Sequence, residues 1–88
     1  MIYAQFYAYK LDGTLDEAIG DRSVIVIDGR LSNRATACIA EEECRKRQYA
    51  AWRLFNGEAF TRSSPISQLT YIHEDKPVRN PVWLSAHD

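Results

Sequence analysis

Polar and apolar residues alternate without interruption near the start of the chain. Ile2, Ala4, Phe6 and Ala8 fall on one side, and Tyr3, Gln5, Tyr7 and Tyr9 on the other. A period of two over residues 2–10 predicts a strand with unlike faces, one aliphatic with small gaps and one a row of tyrosines. Leu11-Asp12-Gly13-Thr14 is a hairpin-type turn signal. The acidic residues 15–21 that follow fit either a brief strand or a turn of helix. Residues 23–28, SVIVID, are β-branched and apolar on both faces, which predicts a central strand. Asp28-Gly29 then turns the chain.

Residues 32–47, SNRATACIAEEECRKR, carry the only long helical pattern. Glu41, Glu42 and Glu43 each stand four residues before Arg45, Lys46 and Arg47. These are acid-first pairs that support a helix and oppose its dipole at the C-terminal end. Ser32 or Asn33 caps the start. At 100° per residue Ala37, Ala40 and Cys44 share one face with Gln48 at its end, and the six charges occupy the rest. Ile39 lies away from that face as an exposed apolar residue. A face of such small side chains predicts a helix sitting close on a sheet.

After the helix the alternation returns, with Ala50, Trp52 and Leu54 opposite Tyr49, Ala51, Arg53 and Phe55. Asn56-Gly57 is the residue pair of a type I′ hairpin and predicts a return strand over residues 58–62, with a last strand over residues 68–73. Residues 74–88 hold two prolines and no period. The expected protein is therefore α+β: a single helix packed on one face of an antiparallel sheet of four or five strands, in the order β-β-α-β-β-β. Residues 1–73 form the domain, and residues 74–88 an irregular tail packed back through Trp83.

With one helix, one sheet face has a lid and the other does not. The helix covers Ile2, Ala4, Phe6 and Ala8 together with Ala50, Trp52 and Leu54. This leaves Tyr3, Tyr7, Tyr9, Tyr49, Arg53 and Phe55 as a candidate partner-binding face, with Arg62 nearby on the return strand. Three occupants fit it: the tail through Trp83, a second copy or another protein anchored on Tyr and Arg, or nucleic acid stacked on the tyrosines.

Eighty-eight residues with net charge −1 make one small domain and argue against a generic polyanion binder. A chain of this size buries roughly 60–65% of its unfolded surface, so stability should be modest. The charge is uneven, since residues 1–44 carry four bases and eight acids and residues 45–88 carry seven bases and four acids. The opening apolar run is too short to span a bilayer and no basic leader precedes it, so a cytoplasmic protein with no membrane contact is expected.

Catalytic and metal chemistry finds little support. Cys38 and Cys44 would stand about 9 Å apart along a helix and point in different directions, so they cannot form a disulfide, and two thiols alone make no zinc site. His73 with Glu74 and Asp75, and the lone His87, do not form an acid-base cluster, because consecutive residues at a strand end diverge. No G-x-S-x-G, HExxH, CxxC or Walker-type loop is present. No enzyme activity, cofactor or metal is expected.

The stretches YAYKLDGT and AWRLFNGEAFTRSSPISQLTY, in a chain this short, resemble the small accessory proteins encoded by temperate phages and prophages. The resemblance implies a protein that acts without catalysis, by occluding a host enzyme or a defence complex. It carries no site residues. The strongly acidic surface of a DNA mimic is missing.

Overall fold

The first alternating run becomes β1 (Ile2–Tyr9), the strand on which the sheet is built. In a computed structural model that describes residues 1–57, 64–73 and 80–84, one edge of β1 pairs antiparallel with β4 (Ala51–Asn56), from Ile2 opposite Asn56 to Tyr7 opposite Ala51. Two short strands share its other edge: β2 (Leu15–Glu17) alongside Tyr7, Ala8 and Tyr9, and β3 (Val24–Ile27) alongside Ile2, Tyr3, Ala4 and Gln5. β5 (Thr70–Tyr71) pairs with the free edge of β4. With α1 (Asn33–Lys46) on one face, the described residues form one helix on a five-stranded antiparallel sheet. Three strands precede the helix, because the acidic segment contributes β2. The return strand expected over residues 58–62 lies outside the described residues.

The outer edges of β1 and β4 are both bordered by broken strands, and each break is satisfied in its own way. Beside β1, Phe6 donates its N–H to the Ser23 carbonyl at 2.8 Å and accepts from the Ala18 N–H at 2.9 Å, so the chain between them loops away without orphaning a backbone group. The buried Gln5 amide reinforces the break, donating to the carbonyls of Phe6 and Ser23 at 3.0 and 3.2 Å. Beside β4, residues 64–66 and β5 leave the Leu54 N–H between them, and the wholly buried Ser67 hydroxyl accepts it at 3.0 Å. Residues 82–84 then run antiparallel to residues 66–68, through the Gln68 N–H to the Val82 carbonyl and the Leu84 N–H to the Ile66 carbonyl.

The turns differ in how closely they follow their sequence signals. The β1–β2 hairpin forms where expected: Gly13 takes φ +87°, and the Asp12 carboxylate accepts from the Thr14 N–H and hydroxyl. Asn56-Gly57 does not make the two-residue type I′ turn, which needs left-handed backbone at both positions. Gly57 alone has it, at φ +105°, and its N–H goes to the Met1 carbonyl.

The Ser32 hydroxyl caps α1 by accepting the Ala35 N–H at 3.1 Å. Its C-terminus closes with Tyr49 N–H on the Cys44 carbonyl and Gln48 N–H on the Arg45 carbonyl, the paired bonds of a Schellman motif. That motif places Gln48 in the left-handed region, φ +64°, and exposed, so it does not extend the buried face. Ala37, Ala40 and Cys44 are buried as the helical spacing predicts, and Ile39 is partly buried against the core rather than standing out from it. Beneath the helix lie Ala4, Phe6, Ile27, Trp52 and Leu54, and the small helix residues let these large ones fill the layer.

Glu41 corrects the expectation of an exposed charge ladder. It is fully buried, with the Trp52 Nε1 donating to one carboxylate oxygen at 2.9 Å and Arg45 to the other at 3.1 Å. Arg45 also donates to the His73 carbonyl. Glu43 pairs with Arg47 at 3.0 Å and with Lys46 at 3.6 Å, so Lys46 turns to the residue three back rather than to Glu42.

Candidate binding face

The residues opposite the helix are arranged in cross-strand rows fixed by the register. One row runs Val26, Tyr3, Phe55 and Pro65; the next Val24, Gln5 and Arg53; the next Glu17, Tyr7, Ala51 and Tyr71; the last Leu15 and Tyr9. The period of two, read from the sequence for β1 and β4, assigned the strand residues of this face correctly. It did not reveal that the rows differ in exposure.

The row nearest Met1 is closed. Tyr3 and Phe55 stack nearly parallel with ring centroids 5.2 Å apart, and only 4% and 5% of their surfaces remain exposed. Stacked rings of this kind add about 0.5–1.5 kcal/mol beyond their burial. The Arg53 guanidinium lies 5.9 Å from the Phe55 ring centre, and its Nε donates to the Ser67 carbonyl at 2.9 Å. Tyr3 and Phe55 therefore belong to the interior of the monomer, which corrects the expectation that these rings await a partner. Arg53 is half-buried and already engaged.

Tyr49 is on the other side of the sheet. The left-handed Gln48 breaks the alternation before β4 begins, and the Tyr49 ring stacks on Phe6 at 5.6 Å. Arg62 lies outside the described residues. Trp83 does pack back on the molecule, but against the core beneath the helix.

What stays open is the opposite end of the face. Tyr9 and Tyr71 are 62% and 45% exposed, and Tyr7 is half-buried between them in position. Ala51, which separates Tyr7 from Tyr71 in the same row, has no exposed surface. Tyr71 escapes the sequence reading because the register of the last strand is set by β4. The alternation of Thr70, Tyr71 and Ile72 was the available signal.

The charges around this end are net negative, with Asp12, Asp16 and Glu17 against Lys10. Lys10 pairs with Asp16 at 3.2 Å, and Glu17 sits across from Tyr7. The Glu17 N–H and Lys10 hold the Asp16 carboxyl below the usual range, and the Thr14 donors do the same for Asp12. Among the described residues no three His, Cys, Asp or Glu side chains gather where an ion could be shared, and no helix is long and apolar enough to cross a membrane. No protein-family model, curated protein or solved structure matches this chain.

Proposed function

We propose that this chain is a non-catalytic binding protein that engages another protein through the tyrosine end of its open sheet face and acts by occlusion, as an inhibitor or adaptor. The observation that carries this reading is the row Tyr7, Ala51, Tyr71. A small floor residue is fully buried, while Tyr71 and the adjacent Tyr9 keep 45% and 62% of their surface exposed. Rigid aromatic groups with a polar tip, on a pre-formed strand surface, gain contact area at little entropic cost and suit the anchor positions of protein interfaces. The resemblance to temperate-phage accessory proteins supports a cytoplasmic host or defence-system protein as the partner. The net negative charge of Lys10, Asp16 and Glu17 beside the tyrosines favours a protein over a nucleic-acid backbone.

The test is quantitative capture from a bacterial lysate with the wild-type chain and with Tyr9→Ala and Tyr71→Ala. Each substitution removes an exposed ring and should leave the melting temperature nearly unchanged. Each should also lower capture of one and the same protein by about tenfold or more if the ring is an anchor. Capture equal to wild type in both variants overturns the reading. Binding of single-stranded RNA that weakens steeply with salt would replace it with a nucleic-acid function.

A further inference from the structure

The run SVIVID reads as a central strand, yet among the described residues β3 lies at the sheet edge, paired only to β1. Phe6 donates to the Ser23 carbonyl, so positions 23, 25 and 27 aim their backbone groups at β1 and positions 24 and 26 aim theirs outward. Among the described residues nothing bonds to those outward N–H and C=O groups of Val24 and Val26. The Val26 side chain is 52% exposed, and Ile25 and Ile39 border the core while only partly buried, so apolar surface flanks the edge on both faces of the sheet. Natural proteins blunt such an edge with Lys, Pro or a covering segment. Neither Lys nor Pro lies within residues 23–28.

We propose that β3 is a self-association edge, on which a second copy of this chain adds its own β3 antiparallel across a twofold axis at Ile25. Charge complementarity selects the register. With Ile25 opposite its counterpart, Val24 faces Val26 of the other copy and exchanges all the outward backbone groups with it. The exposed Arg22 side chain, in the turn that leads into β3, then reaches toward Asp28 of the other copy at both ends. Shifting the pairing by one step in either direction sets Arg22 or Asp28 against a valine instead. Asp28 already holds Arg30 through bonds of 3.1 and 2.9 Å, but that pair is exposed, contributes little, and leaves the carboxylate able to share a second guanidinium. The interface is distinct from the Tyr7, Tyr9 and Tyr71 end and independent of it.

Sedimentation velocity over a concentration series tests the proposal. The wild-type chain should show a reversible monomer–dimer equilibrium. Val26→Lys places a cation on the exposed edge twice across the axis and should weaken association by about tenfold or more. Arg22→Glu and Asp28→Arg should each impair self-association alone, through like charges at both ends. An equimolar mixture of the two variants should recover it, because every end then pairs acid with base. Tyr9→Ala should dimerise as wild type does, which separates failure here from failure of the proposed function. A wild-type chain that stays monomeric throughout overturns the proposal. So does a Val26→Lys chain that dimerises unchanged, or a mixture that remains monomeric while wild type dimerises.

Discussion

The Trp52 indole donates to a carboxylate oxygen of Glu41 at 2.9 Å, with both side chains cut off from solvent. This bond joins the helix to the start of β4, and Arg45 on the second oxygen completes the pairing of the charge. A charge this deep is tolerated because each of its oxygens meets a donor.

Glu41→Leu removes the acceptor of the indole N–H and the carboxylate paired with Arg45, which keeps its bond to the His73 carbonyl. A loss of about 1–3 kcal/mol, the cost of the unsatisfied buried indole N–H, is expected from urea denaturation. Glu41→Gln keeps an acceptor for Trp52 and should lose less. A Glu41→Leu chain as stable as wild type would show that the contact is dispensable.

The Cys44 thiol is pushed up from an ordinary value of 9.0 to about 12, first by burial and then by the neighbouring Glu41 charge. Raised in the folded state, it contributes stability that is fully present below the unfolded value and is lost as pH climbs from about 9 toward 12. The stability advantage of wild type over Cys44→Ala should therefore shrink across that window, a comparison that cancels the tyrosines and lysines titrating there. At neutral pH a thiol reagent should modify the half-buried Cys38 in the native protein and reach Cys44 only on unfolding.

Ser67→Ala deprives the buried Leu54 N–H of the hydroxyl that accepts it at 3.0 Å. An unsatisfied buried donor costs about 1–3 kcal/mol. Hydrogen exchange at the Leu54 amide should accelerate along with the loss of stability. Unchanged exchange would mean another acceptor takes over.

Gln48 occupies a left-handed position, φ +64°, that favours glycine at a helix C-terminus. Gln48→Gly should stabilise the protein by up to about 1 kcal/mol, visible as a higher melting temperature. A decrease would indicate that the Gln48 side chain contributes something the backbone conformation does not reveal.

Local periodicity was enough to determine the helix, a cap at Ser32 or Asn33, the two unlike faces of β1 and β4, the Leu11–Thr14 turn and the α+β class, because each depends on residues within a few positions of one another. Tertiary structure alone decided the rest. The unbroken apolar run from Val24 to Ile27 reports burial on two faces but not how many neighbours a strand has, so edge and centre look alike in sequence. Glu41 is spaced like a surface charge, and only Trp52, eleven residues on, turns it inward. Tyr3 and Tyr9 occupy equivalent positions in the same strand, yet one is sealed by Phe55 across the sheet and the other faces solvent. Exposure is a property of what the chain brings back from a distance, and no local pattern encodes it.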